Sequence, residues 1–219
     1  MSKSVSRNVI CPDCGASVAA KMWTVVNTAQ TPELRDKIMD ESLFDWRCPN
    51  CRFQAQLISH CLYHDLENGF MVYLLPDFSD PKLEDGGVEA QYPEMAGLTK
   101  RVVPSLNKMK EKILIFEAGA NDMAIELTKL AVEGIIEKKY DKKVLASYFL
   151  LMDSQEKAIG FSFFLEGRDE PVYYDTRLEV YEKCMDIIED FAFEELHSPY
   201  FLLIDETWAK KTLDTYRNS

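Results

Sequence analysis

One short pattern occurs twice in this chain, as Cys11-Pro12-Asp13-Cys14 and as Cys48-Pro49-Asn50-Cys51. Two cysteines with two residues between them turn both sulfurs toward a common point. Two such knuckles facing each other supply the tetrahedral four-thiolate shell that zinc accepts. The proline fixes the backbone between the ligands. A glycine after the second cysteine relieves the tight turn; Gly15 fits that role, whereas Arg52 stands at the same place in the second knuckle. A single pair carries little, but two matched pairs predict one structural Zn2+ ion per chain, held by Cys11, Cys14, Cys48 and Cys51. A closed shell of four thiolates has no position for water or substrate, so hydrolysis at the ion is not expected. The other readings of paired cysteines are a thioredoxin-like redox site or disulfides, but the accompanying βαβ pattern is missing. Iron also accepts four thiolates; zinc is the default for a closed site.

The 33 residues between the knuckles exceed the usual 15–20 of such sites. Thr31-Pro32-Glu33 accounts for the excess. It reads as a helix start, with Thr31 at the N-cap, Pro32 at the first helical position, and Leu34 and Ile38 on the buried stripe. Around it lie strand candidates at Val5–Ile10, Ser17–Thr28, Leu43–Arg47, Phe53–His60 and Phe70–Leu75. Residues 1–76 therefore read as a zinc ribbon-like β domain with a helical insertion. Residues 77–97 carry Pro81, Gly86, Gly87 and Pro93 without periodicity and read as a linker.

Residues 98–219 read as a second, α+β domain. A strand over Leu98–Val103 precedes a helix with Leu106, Met109, Ile113 and Phe116 at helical spacing. Gly119 stops that helix and Asn121 caps the next. Strands at Val144–Met152, Ala158–Leu165 and Val172–Tyr174 follow, then a helix over Arg177–Leu196, a short strand at Tyr200–Ile204 and a closing helix over Glu206–Tyr216. Both faces of the central strands are apolar, through Tyr148, Leu150, Leu151, Phe161, Phe163 and Phe164, which predicts a homo-oligomer.

Charge restricts the partners. The net charge is −12, and residues 76–219 hold 18 Lys/Arg against 29 Asp/Glu. Such a body repels phosphate backbones and anionic lipid, so neither duplex DNA nor membrane binding is expected. No stretch approaches the roughly 20 apolar residues of a membrane span. The opening Met-Ser-Lys-Ser-Val-Ser-Arg leads into no apolar core, which reads as a cytoplasmic chain whose thiols stay reduced.

Other reactive side chains have plainer readings. His60, Cys61 and His64 follow the second knuckle, but a set of Cys48, Cys51, His60 and His64 would strand Cys11 and Cys14. Cys61 and Cys184 read as small buried hydrophobes. His64-Asp65 are neighbours on a strand and point to opposite faces, which is unsuited to an acid–base pair. Glu117, Asp122, Glu126 and Lys129 cluster near the Gly119 turn, either as a cation or basic-partner site or as helix-end charge and an i,i+3 pair; the structural reading is favoured. If the two helices there formed a helix-turn-helix, the recognition helix would present Asp122 and Glu126 to DNA, the wrong sign. No phosphate-binding glycine loop, G-x-S-x-G elbow or H-E-x-x-H occurs.

The knuckles and their surroundings resemble the CpXC family of bacteria and archaea. The resemblance runs through Thr31-Pro32-Glu33-Leu34, Leu62-Tyr63-His64-Asp65, Lys100-Arg101-Val102-Val103, Glu111-Lys112-Ile113, Phe116 to Asp122, Ile125-Glu126-Leu127 and Lys129. It covers roughly the first two thirds of the chain. Arg52 departs from the glycine usual in that family. The resemblance implies zinc and names no substrate. The expected function is therefore a non-enzymatic protein-interaction or adaptor role, with a protein partner and a rigid zinc-held ribbon. The alternatives are a nucleic-acid-associated zinc ribbon, or an enzyme whose site lies in the acidic domain.

Overall fold

A computed structural model describes residues 1–84 and 97–219. Its fold is α+β, with two compact units. The first comprises Met1–Ser79 and Asp85–Lys110, and the second comprises Asp80–Glu84 and Glu111–Ser219. Of the linker expected over 77–97, residues 85–96 lie outside the described residues.

Five strands form the sheet of the first unit. β1 (Lys3–Ile10) and β2 (Ser17–Asn27) are an antiparallel hairpin in which Ile10 pairs with Ser17. β2 runs parallel to β5 (Cys61–Asp65), which is antiparallel to β6 (Phe70–Leu74). β6 is parallel to β8 (Thr99–Val103). That pairing places Thr99–Val103, read from the sequence as the start of the second domain, in the sheet of the first unit. Parallel neighbours require a long crossover. The one from β2 to β5 carries α1 (Glu33–Met39), a 3-10 turn (Ser42–Phe44) and a hairpin of β3 (Asp45–Arg47) and β4 (Gln54–Gln56). The helical insertion is thus where the sequence puts it, with Leu34 and Ile38 buried. Thr31 does not cap it. Its hydroxyl donates instead to the Asn27 carbonyl at 3.1 Å, and Pro32 occupies the cap position. Tyr63, Phe70, Val72, Leu74 and Val102 fill the core, with the Tyr63 and Phe70 rings stacked at 5.8 Å.

The strand expected over Phe53–His60 is confined to Gln54–Gln56, because Phe53 closes the second knuckle and pairing with β3 ends at Asp45. The next strand instead begins at Cys61 and is buried almost throughout.

The second unit contains a short ladder of β7 (Lys82–Leu83) with β12 (Phe201–Leu202), and an antiparallel sheet in the order β11 (Val172–Arg177), β10 (Ala158–Leu165), β9 (Val144–Asp153). α2 (Leu106–Glu117) enters this unit from the first. α3 (Asp122–Tyr140) follows Gly119, whose φ of +68° suits glycine at a helix end. Asn121 caps α3 through its side-chain oxygen, which accepts from Met123 N at 2.9 Å and Ala124 N at 3.3 Å. Ile125, Val132 and Ile136 of α3 pack with Phe149, Ile159, Phe161 and Phe163 of the sheet. Met123, Ala124 and Leu127 pack with Cys184 and Ile188 of α4 (Leu178–Phe191) and Ala209 of α6 (Glu206–Arg217); α5 (Phe193–Leu196) is a single turn between those helices. Apolar side chains thus meet both sides of α3, which is why residues 122–129 are all buried. Among the described residues, no helix is long and apolar enough to cross a membrane.

Candidate metal centre

The two knuckles are the loops of two hairpins, and they are built alike. In the first, Cys11 N donates to Ala16 O at 3.0 Å and Gly15 N donates to Cys11 O at 2.9 Å. In the second, Cys48 N donates to Phe53 O at 2.8 Å and Arg52 N donates to Cys48 O at 2.9 Å. Each loop needs a left-handed residue at the same place, with φ +70° at Gly15 and +68° at Arg52. A residue with a Cβ sits in this conformation at a cost of about 1–2 kcal/mol. The second knuckle therefore keeps the geometry of the first despite Arg52, and at an energetic disadvantage.

The crossover fixes where the second knuckle points. Past the end of α1, Glu41 accepts hydrogen bonds from the Gln56 side chain at 3.0 Å and from Lys110. Leu57 N donates to Phe44 O at 2.8 Å below the hairpin. The base of β3–β4 is thereby tied to helix and turn.

Together these constraints bring the four sulfurs within 4.8 Å of one another. Cys11 Sγ lies 3.6 Å from Cys51 Sγ, and Cys14 Sγ lies 3.8 Å from Cys48 Sγ. A tetrahedral zinc–thiolate shell with bonds of about 2.3 Å has sulfur–sulfur edges of about 3.8 Å. The four cysteines fit a metal ion in both size and chemistry. They are the only cluster of metal-donor side chains found among the described residues. None of the six cysteines is in a disulfide.

Asn50, the variable residue of the second knuckle, reaches across to the first. Its amide donates to Cys14 Sγ at 3.4 Å. That bond, with the Ala16 N–H, pulls the Cys14 thiol down to about 6. At Cys51 the Phe53 N–H acts the same way. It is outweighed by burial and by Asp13, Cys11 and Cys14, so this thiol stays above its ordinary value. The Cys48 thiol is lowered as well, chiefly by the Cys51 N–H working against burial. Two thiols of the cluster thus lean toward the thiolate while Cys51 resists it, a resistance that a bound cation removes. Cysteine spacing alone does not mark Asn50; its place between Cys48 and Cys51 is the signal that does.

The other singled-out residues lie elsewhere. His60, Cys61 and His64 do not join the cluster. His64 is buried on β5, with Nδ1 3.3 Å from the Asn27 amide nitrogen. Asp65 accepts from Asn68 N at 3.2 Å and from its side chain at 2.8 Å, and so closes the β5–β6 turn. Asp122, Glu126 and Lys129 are not a surface cluster. They are buried together with Glu111 and Lys112, which lie outside the cluster expected near Gly119, while Glu117 is only half-buried. Lys112 Nζ is 2.8 Å from Asp122 and 3.3 Å from Glu126, and Lys129 Nζ is 2.7 Å from Glu111 and 2.9 Å from Glu126. Glu111 also accepts from Phe149 N at 2.9 Å, tying α2 to β9.

Beside the centre, β3 and β4 pair only with each other among the described residues. A hollow of about 370 Å³ lies against them, lined by Asp45, Trp46, Arg47, Gln54, Ala55 and Gln56. A search of curated proteins finds no match to the chain, and a search of solved structures finds none. The family model described as CpXC protein matches residues 9–129. That span takes in both knuckles, the sheet between them and the buried charges of α2 and α3; it is more than half of the chain, which therefore belongs to the CpXC protein family.

Proposed function

We propose that this chain is a non-enzymatic protein-interaction module, or adaptor, built on one structural Zn2+ ion bound by Cys11, Cys14, Cys48 and Cys51. The sulfur geometry carries the reading. The two closest sulfur pairs have the spacing of a closed tetrahedral shell, with no opening for substrate. The ion cross-links the β1–β2 loop to the β3–β4 loop, giving a zinc ribbon-like pair of knuckles inside a small unit. Structural zinc contributes on the order of 10–16 kcal/mol in model peptides, ample for that purpose. The interaction surface is the β3–β4 hairpin, held by the ion at one end and by Glu41 at the other. Its unpaired strand edges and the half-exposed Trp46 suit an extended segment of a protein partner. Free cysteines suit a reducing cytoplasmic setting.

Elemental analysis of the purified protein tests the metal. About one zinc per chain is expected, lost in Cys48→Ser together with hydrogen-exchange protection across residues 1–79. Metal-free protein with four freely reacting knuckle thiols would refute the zinc reading. For the partner, affinity purification from the native source is run with wild type and with Trp46→Ala. A protein retained by the first and lost with the second supports the adaptor role, and identical recovery overturns it.

A further inference from the structure

We propose that the outer face of the β9–β10–β11 sheet is a two-fold interface, and that its occupant is a second copy of this chain. Register and packing define the face. Ile159, Phe161 and Phe163 turn into the core, so Gly160, Ser162 and Phe164 turn out. Leu151 pairs with Gly160, and Tyr148 and Tyr173 both pair with Ser162. A Cβ at Gly160 would meet Asp175 Oδ1 at 3.1 Å and Leu151 Cγ at 3.4 Å, which shows that those two side chains lean over the same face. Small residues on β10 thus make a trough. Leu151 and Tyr148 stand along one side of it and Tyr173 and Asp175 along the other. Phe164 meets Tyr148 edge-on at 5.9 Å at one end.

Area, charge and the strand irregularities bear on what covers this face. Leu151, Phe164 and Tyr173 are 53 %, 38 % and 69 % exposed. The ladder shifts register where Leu150 and Leu145 fall, and these are 38 % and 66 % exposed at the β9 margin. An aromatic side chain offers on the order of 150–250 Å² and a leucine somewhat less, so Leu151, Phe164 and Tyr173 expose roughly 300 Å², and Leu145 and Leu150 add roughly 150 Å² at the margin. A standard-size, non-obligate interface buries about 800 Å² per partner, of which somewhat more than half, about 450 Å², is apolar. The face with its margin is of the size that such a dimer needs. Two bodies of net charge −12 approach best where acids are few. The charged groups on this face are Asp175 and Arg177 of β11, both exposed, and Asp153 at the end of β9, which pairs with Ala158 and is engaged by the Gln155 and Glu156 N–H groups. Under a two-fold axis one residue contacts another and the second contacts the first. An axis passing near Thr176 sets Asp175 of each copy opposite Arg177 of the other, so that the patch complements itself, and Arg177 exchanges its exposed contact with Glu179, 4.0 Å away in the single chain, for one across the interface. This interface is independent of the metal centre.

Sedimentation equilibrium across a concentration series tests it. Wild type is expected at about twice the chain mass of 25.2 kDa at micromolar concentration. Tyr173→Glu, at the most exposed of the outward side chains on the paired strands, should weaken the dimer at least 100-fold with zinc content and far-UV circular dichroism unchanged. Asp175→Arg and Arg177→Asp should each weaken it about tenfold, and the double exchange should restore wild-type affinity. The restoration requires folded protein, so misfolding cannot imitate it. A single-chain mass for wild type at high micromolar concentration, or a dimer indifferent to Tyr173→Glu, or a double exchange no better than the single ones, would overturn the interface. None of these results bears on zinc.

Discussion

Replacing Lys129 by Met should cost the second unit about 3 kcal/mol. Lys129 is 3 % exposed, and its ammonium lies 2.7 Å from Glu111 and 2.9 Å from Glu126, each 1 % exposed. Removing one member of a buried ion pair costs about 3–5 kcal/mol, because the stranded charge cannot reach water. Here neither carboxylate loses all its partners: Glu111 keeps Phe149 N–H at 2.9 Å and Glu126 keeps Lys112 at 3.3 Å, which places the cost at the lower end. About 3 kcal/mol raises the unfolding equilibrium constant roughly 150-fold. Urea denaturation read by the fluorescence of Trp208, together with hydrogen exchange in Asp122–Tyr140, gives the number. Glu111→Gln added to Lys129→Met should recover about 1 kcal/mol or more, since the neutral amide still accepts from Phe149 N–H and no charge is stranded. Burial by itself would lower the Lys129 pKa, but Glu111 and Glu126 hold it above its ordinary value. A raised pKa stabilises below the unfolded-state value near 10.4 and fades only above it, so the gap between wild type and variant should be flat from pH 7 to 9. A cost under about 0.5 kcal/mol, or a double variant worse than the single one, would refute the reasoning.

Three further outcomes are expected. Arg52→Gly should stabilise the zinc-bound first unit by about 0.5–1 kcal/mol, since relief of the left-handed strain exceeds the entropy glycine adds to the unfolded chain, while Gly15→Val should destabilise it by at least 1 kcal/mol; equal thermal midpoints in all three proteins would count against the matched loops. Burial pushes the Cys61 thiol up to about 12, so at pH 8 only about one in 10⁴ is ionised; timed alkylation after zinc chelation should label Cys14 long before Cys61, and equal rates would contradict this. Binding to duplex DNA should be undetectable below micromolar concentration at physiological salt, given the net charge of −12; a tight, salt-sensitive isotherm would reverse that expectation.

The four-cysteine cluster was legible in the sequence because its rule is local, two cysteines at fixed spacing, repeated. The caps and stops were legible for the same reason: Asn121 and Gly119 act within a few residues of themselves. The extent and burial of strand Cys61–Asp65 were not: His64 and Asp65 read as a polar pair on a strand, and only the sheet on both sides of β5 explains why they are buried. The charged group on α2 and α3 was half visible. Asp122, Glu126 and Lys129 recur at i, i+4 and i+7, the spacing of a buried stripe, yet charged residues at that spacing ordinarily mean a solvated face. Glu111 and Lys112, which balance them, come from a different helix, and no periodicity within α3 points there.

The placement of the second knuckle inside the β2-to-β5 crossover has a kinetic consequence. Val25 must find Leu62 across a long stretch of chain before any parallel pairing stabilises it, and closing such a loop slows folding. An ion that captures Cys11 and Cys14 in one local hairpin and Cys48 and Cys51 in another draws the crossover together before the sheet forms. Zinc added to the unfolded chain should therefore accelerate refolding as well as deepen the native well. An ion that arrives only after the sheet has formed should slow unfolding and leave the folding rate as it was.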